Sequence, residues 1–139
     1  MSENYTHLVT IVDDDPSVRE ATANLLKANR FRSKSFSSAS EFLQSPLLDQ
    51  TKCLILDLRL PDMDGLNLQR RLVASHLRVP IIFITAHGSA ETREAAMQTG
   101  AVDFLPKSFN EDALLAGIHK ALGSVKSNAK EGPGGMKTP

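Results

Sequence analysis

Residues 53–65 read CLILDLRLPDMDG and contain the strongest structural signal in the chain. The first four residues are apolar, Asp57 follows them directly, and the segment ends in proline, aspartate and glycine. A short apolar run closed by turn-forming residues is typical of a buried strand that leads into a loop. This stretch therefore predicts a strand with an acidic side chain at its carboxyl end.

Four further apolar runs of similar length, often β-branched, lie on either side of it. The five predicted strands occupy residues 8–12, 32–36, 53–56, 81–85 and 101–105. Helical spacing follows each of them, and the five predicted helices cover residues 16–28, a segment from Ser38 or Ser40, and residues 65–76, 90–98 and 110–122. Strict alternation of strand and helix predicts an α/β fold, a doubly wound parallel sheet with helices on both faces. Such a sheet binds its ligand at the carboxyl ends of the strands.

Composition narrows the classes of function. The chain has 139 residues, of which 41% are hydrophobic, and this suits one globular domain. Its 16 basic and 16 acidic residues balance, so we expect no direct binding of nucleic acid. Cys53 is the single cysteine, which excludes an internal disulfide and a multi-cysteine zinc site and favours a reducing, cytoplasmic location.

The two ends of the chain are polar. Residues 1–10 lack the pattern of a signal peptide, and no apolar run approaches the roughly 20 residues that span a bilayer, so we expect no membrane association. Residues 124–139 are rich in lysine and glycine, with almost no apolar residues. We predict one domain over residues 1–123 and a flexible tail or truncated linker over residues 124–139.

Chemically capable residues follow four of the predicted strands. They are Asp13, Asp14 and Asp15, then Asp57, then Thr85, and finally Lys107. Asp15 before Pro16 suits a helix N-cap, and Asp62 and Asp64 suit a turn and a helix start. The remaining carboxylates would converge if their strands are neighbours, and hard oxygen ligands without cysteine or histidine favour Mg²⁺. A carboxylate beside Mg²⁺ and a lysine is a plausible phosphoryl acceptor.

Four motifs in this order resemble the response-regulator receiver domain. They read IVDDD at residues 11–15, ILDLRLPDMDG at 55–65, ITA at 84–86 and DFLPK at 103–107. The resemblance covers about residues 8–123 and is strongest to receivers of the FixJ and NtrC type. It implies a flavodoxin-like sheet of strand order 2-1-3-4-5 with five helices.

The resemblance also implies roles for single residues. Asp57 would be the phosphoacceptor, taking a phosphoryl group from the phosphohistidine of a sensor histidine kinase or phosphotransfer protein. Asp13, Asp14, Asp57 and the backbone carbonyl of Arg59 would hold Mg²⁺. Lys107 would pair with the phosphoryl oxygens, while Thr85 and the aromatic Phe104 would form the switch. Beyond transfer to and loss from itself, no enzymatic activity is implied.

Two features concern the details of this site. The family usually has proline after the lysine, with a cis bond, whereas Ser108 follows Lys107 here, so we predict a trans bond or a strained cis one. In the family, the positions of Arg59 and His87 tune the lifetime of the phosphoryl group. Both side chains are long or bulky and could cover the acyl phosphate, although His87 could equally be an ordinary loop residue.

Other functions fit the sequence less well. A haloacid-dehalogenase-like phosphohydrolase needs a second carboxylate two residues after the nucleophile, where Arg59 stands. A calcium-binding loop around residues 62–65 fails because Leu60 and Arg71 occupy its first and closing ligand positions. No glycine-rich phosphate loop is present. A degenerate receiver that only binds other proteins remains an alternative, with Ser108 as its main support.

The output of such a domain is left open by these residues. We expect a partner surface that includes residues 91–98 and 112–120, with a possible phosphorylation-dependent homodimer. The chain is either a single-domain regulator that binds a downstream protein or the receiver part of a longer regulator that carries a DNA-binding output domain.

Overall fold

The computed structural model describes the backbone of residues 7–130 and the side chains of residues 7–123. Five strands and five helices alternate along it. The strands are β1 (Leu8–Val12), β2 (Arg32–Phe36), β3 (Thr51–Asp57), β4 (Ile81–Thr85) and β5 (Asp103–Pro106). The helices are α1 (Pro16–Ala28), α2 (Ala39–Leu43), α3 (Gly65–Ala74), α4 (Ala90–Gln98) and α5 (Glu111–Lys130). A 3-10 turn at Leu48–Gln50, which the sequence did not predict, precedes β3.

The strands form one parallel sheet of order β2-β1-β3-β4-β5, as predicted. β1 pairs with β2 on one side and β3 on the other, in the register Val12↔Phe36 and Val12↔Leu56. β3 continues to β4 with Asp57 opposite Ile84, and β4 to β5 with Thr85 opposite Pro106. The carboxyl ends of β1 and β3 therefore lie side by side at the reversal of strand order, where a doubly wound sheet forms its ligand crevice.

Two hydrophobic layers bury the sheet on both faces. Alternate strand residues such as Val9, Ile11 and Ile55 pack against Leu26 of α1 and Ile118 of α5. Their neighbours face the opposite layer, whose fully buried side chains include Leu54, Leu56, Phe83, Phe42, Leu68 and Leu72. Such burial on two faces explains why the central strands are largely apolar, and why the edge strand β2, with exposed and half-buried residues, gave a weaker signal.

Short polar side chains start the helices. Asp15 caps α1 by accepting a hydrogen bond from the Ser17 amide at 2.9 Å, with Pro16 at the first helical position. Asp64 caps α3 through the Leu66 amide at 2.7 Å. The predicted N-cap of α1 and the predicted helix start at Asp64 are therefore confirmed.

Three helices end with the same hydrogen-bond pattern around a left-handed residue. Arg30, His76 and Gly100 have φ values of 67°, 63° and 111°. At the end of α3, the His76 amide donates to Val73 and the Leu77 amide donates to Leu72, which is the Schellman motif. Because the chain turns there, α3 ends at Ala74 instead of continuing to residue 76 as predicted.

Other boundaries also differ slightly from the prediction. β5 spans Asp103–Pro106 instead of residues 101–105, although the Val102 amide already donates to Ile81 at 2.7 Å. α5 continues beyond residue 122 to Lys130, so its backbone crosses the predicted boundary at residue 123. The predicted tail beyond Lys130 and most of the polar N-terminal segment lie outside the described residues. Within residues 7–130, none of the helices combines the length and the apolar character needed to cross a bilayer.

Gly65, the first residue of α3, allows the helix to approach β3. A Cβ at this position would lie 2.6 Å from the Asp57 carbonyl oxygen and 3.0 Å from the Leu58 Cα, both backbone atoms that have little freedom to move. We expect Gly65→Ala to lower the free energy of unfolding by about 1–3 kcal/mol, measured by urea denaturation.

Gly123→Ala provides the matched control. Gly123 lies within α5, and a Cβ there would meet nothing within 4 Å. Alanine favours a helix over glycine by up to about 1 kcal/mol, so this variant should be as stable as the parent or more so. Equal effects of the two substitutions would contradict the close approach at Gly65.

Candidate functional site

Asp13, Asp14 and Asp57 meet at the carboxyl ends of β1 and β3. One carboxylate oxygen from each lies within 4.8 Å of the others. Asp13 is fully buried and Asp57 is 3% exposed, whereas Asp14 is exposed. The structure therefore brings together all three carboxylates predicted to converge, which with Lys107 form the acidic site.

Lys107, in the loop after β5, contacts both buried carboxylates. Its ammonium donates to Asp57 Oδ2 at 3.0 Å and to Asp13 Oδ1 at 3.2 Å. Its backbone amide donates to the Thr85 carbonyl at 3.0 Å, which ties the loop to the end of β4. Among the described residues no peptide bond is cis, so the bond between Lys107 and Ser108 is trans, which is the first of the two forms that the sequence left open.

Burial and neighbouring charges shift the pKa of both Asp13 and Lys107. Burial raises the pKa of Asp13 to about 6, and the neighbouring Asp57 adds to the effect, while the Asp15 amide and Lys107 oppose it. Burial also acts against the charge on Lys107, but hydrogen bonds and attraction from Asp57 and Asp13 outweigh it and raise the pKa of the ammonium. One ammonium thus serves two buried carboxylates, which leaves an excess of negative charge.

The donor set fits a hard divalent cation. Asp13 Oδ2 is buried and has no hydrogen-bond partner within the described part of the chain. A buried oxygen that bears charge and lacks a donor is costly unless a cation satisfies it. Carboxylate oxygens and water are the ligands that Mg²⁺ prefers. Asp13, Asp14 and Asp57 are therefore suited to hold Mg²⁺.

The loop between β3 and α3 closes tightly beside Asp57. The Gly65 amide donates to the Leu58 carbonyl at 2.7 Å, and Arg59 pairs with Asp64 in an isolated antiparallel bridge. The Arg59 amide donates to Asp57 Oδ1 at 3.2 Å, so this residue lies at the site through its backbone while its side chain is exposed.

Thr85, His87 and Phe104 form a second group next to the acidic site. The Thr85 hydroxyl is buried and accepts a hydrogen bond from the His87 amide at 3.1 Å, while the His87 side chain is exposed. Phe104 is half-buried, with its ring centroid 5.9 Å from that of Phe83. Thr85 and Phe104 line a common pocket of about 330 Å³ with Gly88 and Arg93. The two predicted switch residues are thus neighbours.

Several contacts around the site were missed from the sequence. Asp62, expected only as a turn residue, accepts hydrogen bonds from the amides of Ala39 and Ser40 at 3.2 and 2.9 Å and so anchors the start of α2. Arg19 donates to the Asp13 carbonyl at 2.7 Å. No local pattern signals either contact, because the Asp62 partners are distant in sequence and an arginine near a helix start is unremarkable.

Gly88 and Gln69 were also missed. A Cβ at residue 88 would lie 2.6 Å from Phe104 Cε1 and 2.9 Å from Thr85 Cγ2, so glycine keeps space for both switch side chains. Gln69 is 2% exposed and donates to the Ala96 carbonyl at 3.0 Å, which links α3 to α4. A glycine two residues before a helix start and a polar residue on an apolar helical face were the available signals.

Comparison with known proteins agrees with this geometry. Residues 9–119 match the family described as response regulator receiver domain. Nodulation protein W of Bradyrhizobium diazoefficiens is 43% identical over 111 residues, which cover 80% of this chain and 49% of that protein. The transcriptional regulatory protein FixJ of Rhizobium meliloti is 39% identical over 118 residues, which cover 85% of this chain and 57% of FixJ. The chain spans about half the length of the curated relatives it matches.

Solved structures show the same likeness. The response regulator StyR has 44% identity and a TM-score of 0.81, with 91% of this chain and 65% of that chain covered. The structure of FixJ-N has 35% identity and a TM-score of 0.76, with 88% of this chain and 96% of that chain covered. Because the family match and these relatives extend over most of its length, the chain belongs to the response regulator receiver domain family of two-component signalling.

Proposed function

We propose that this chain is a phosphoacceptor that receives its phosphoryl group on Asp57. The observation that carries the proposal is the ammonium of Lys107, held 3.0 Å from the buried Asp57 carboxylate beside two further carboxylates. A carboxylate oxygen attacks the phosphorus of a phosphohistidine, the phosphorus–nitrogen bond breaks, and an acyl phosphate forms. The donor is a sensor histidine kinase or a phosphotransfer protein.

Each residue of the acidic site has a role in this transfer. Lys107 stabilises the negative charge on the transferring oxygens, and the Arg59 amide orients Asp57 through Oδ1. Asp13, Asp14, Asp57 and the Arg59 carbonyl would hold Mg²⁺, and the bound ion would supply the positive charge that offsets the excess of carboxylates. Phosphoryl transfer needs mainly positioning and charge stabilisation, and these residues provide both.

Phosphorylation then changes the switch group. The Thr85 hydroxyl leaves the His87 amide and donates to a phosphoryl oxygen, and the Phe104 ring turns inward into the space that is released. The new charge at Asp57 thereby biases a packing arrangement at the surface of α4 and β5, which is the general logic of a phosphorylation switch.

The output passes to a partner through a surface formed by α4, β5 and α5. We propose that residues 91–98 and 112–120 belong to it, and that phosphorylation promotes either a homodimer or contact with a downstream protein. The names of the relatives, such as the transcriptional regulatory proteins FixJ and TdiR, support an output in transcriptional regulation as part of a longer regulator. The buried free thiol of Cys53, whose pKa burial raises to about 12, is compatible with a reducing cytoplasm.

Asp57→Asn tests the acceptor directly. The parent, incubated with Mg²⁺ and acetyl phosphate, should gain the mass of one phosphoryl group, whereas Asp57→Asn should gain none. The matched control is Asp49→Asn, which makes the same chemical change at an exposed position and should label like the parent. An unmodified parent would instead support a degenerate receiver that only binds proteins, and an Asp57→Asn variant that is still labelled would contradict the assignment.

Asp13→Asn should have opposite effects on stability without metal and with Mg²⁺. Asparagine removes a buried charge beside Asp57, so without metal at pH 7 we expect the free energy of unfolding to rise by about 1–2 kcal/mol. Added Mg²⁺ should reverse the order, because it stabilises only the protein that binds it. Urea denaturation in chelator and in Mg²⁺ measures both effects.

The pH dependence of this difference has a defined sign. The pKa of Asp13 is about 6 in the folded protein against an ordinary value of 3.8, so the folded state binds the extra proton. The metal-free parent should therefore gain stability relative to Asp13→Asn as the pH falls from 7 through 6 toward 4. A difference that stays constant over this range would contradict the buried charge as its cause.

Arg59 and His87 should prolong the phosphorylated state. Both side chains are exposed at the rim of the site, where they can hinder the attacking water. We expect Arg59→Asn and His87→Ala to lose the phosphoryl group faster than the parent once the donor is removed, followed by intact mass. Arg70→Asn, an exposed arginine on α3, serves as the control. Faster loss from the parent than from either variant would refute this role.

A further inference from the structure

Arg19 links the start of α1 to the end of β1. It lies in the first turn of α1, where its amide donates to the Asp15 carbonyl at 3.0 Å. Its side chain turns back and donates from Nη1 to the Asp13 carbonyl at 2.7 Å. A charged donor at this distance makes a stronger hydrogen bond than a neutral one. The Arg19 guanidinium therefore binds the backbone of Asp13, a proposed metal ligand.

The polar atoms of Asp13 are almost all bonded to the protein. Its amide donates to the Phe36 carbonyl at 3.1 Å, and its carbonyl accepts from Arg19. Oδ1 accepts from the Asp15 amide at 2.8 Å and from Lys107 at 3.2 Å. Oδ2 is the buried exception. Hydrogen bonds therefore fix the backbone and Oδ1 of Asp13, and Oδ2 is the oxygen left to bind a cation.

The contact also affects Asp14. The Asp13 carbonyl and the Asp14 amide belong to one planar peptide unit, so a bond that fixes the carbonyl also fixes where Asp14 begins. β1 ends at Val12, and beyond it the sheet no longer holds this peptide through its carbonyl. Arg19 therefore restrains the peptide between Asp13 and Asp14, whose orientation determines where both side chains point.

We infer that Arg19 is a positioning residue for the acidic site, which sets the Asp13–Asp14 peptide so that both carboxylates meet a divalent cation. This inference rests on the proposed function. It predicts that Arg19→Gln weakens Mg²⁺ binding by about tenfold, the scale found when a residue that orients metal ligands is removed.

The sign of the effect separates positioning from simple electrostatics. Arg19 carries a positive charge near the site, so its removal would strengthen Mg²⁺ binding if charge alone mattered. Positioning predicts the opposite. Arg19→Lys keeps a charged donor and should bind Mg²⁺ more tightly than Arg19→Gln. Lys27→Gln is the matched control, because it removes one positive charge from the last turn of the same helix and should leave the affinity unchanged.

The experiment uses the full chain and two readouts. Mg²⁺ titration followed by NMR gives the affinity of each variant, and amide hydrogen exchange in chelator reports on the Asp15 amide, which is bonded to Asp13 Oδ1. Arg19→Gln should exchange this amide faster even without metal. In acetyl phosphate labelling, the Mg²⁺ concentration for half-maximal rate should rise by the same factor as the dissociation constant, with a maximal rate close to that of the parent.

Failure of the inference is distinct from failure of the proposed function. A parent that binds no Mg²⁺ or is not labelled at Asp57 refutes the function, and the inference with it. If the parent does both, an Arg19→Gln variant with unchanged or tighter Mg²⁺ binding overturns the inference alone. Reduced stability with unchanged affinity and unchanged Asp15 exchange would show a purely structural contact and also overturn it.

Discussion

The ammonium of Lys107 lies between the carboxylates of Asp13 and Asp57, which are both almost completely buried. Without this cation the two negative charges would meet in a region of low dielectric, where their repulsion is strong. With it they are tolerated, although the raised pKa of Asp13 shows that the compensation is incomplete. The rest of the molecule serves to hold this unfavourable arrangement in place.

The sheet provides the rigidity that this arrangement requires. Both of its faces are covered, so the strand ends have little freedom to move apart when their charges repel. Connections outside the sheet add to it: the Lys107 amide joins β5 to β4, and Asp62 joins the β3–α3 loop to α2. A charged site of this kind makes the protein less stable than an apolar one of the same shape would. A ligand that relieves the repulsion between the carboxylates would recover part of that stability on binding.

The sequence predicted the fold well because its main signals are local. Apolar runs, an Asp-Pro helix start and the glycine after α4 each act within a few residues, so the elements and the strand order inferred from the family motifs agree with the structure. The convergence of Asp13, Asp57 and Lys107 was also predictable, because parallel strands end at the same edge. Arg19 and Asp62 were not, since their partners are defined only once the elements have packed. The left-handed ends at Arg30 and His76 were missed because neither residue is glycine, the residue type that most often marks such a helix end.

The three left-handed helix ends at Arg30, His76 and Gly100 share a location as well as a geometry. Each returns the chain to the amino end of the next strand, opposite the edge that carries the carboxylates. The left-handed turns therefore lie at one edge of the sheet, and the residues of the acidic site lie at the opposite edge. Substitutions in the loops at the carboxylate edge can change the surroundings of the acidic site, while the connectors at the opposite edge continue to define the chain path. The loops around the acidic site can therefore change in sequence while the order and packing of the strands and helices are kept.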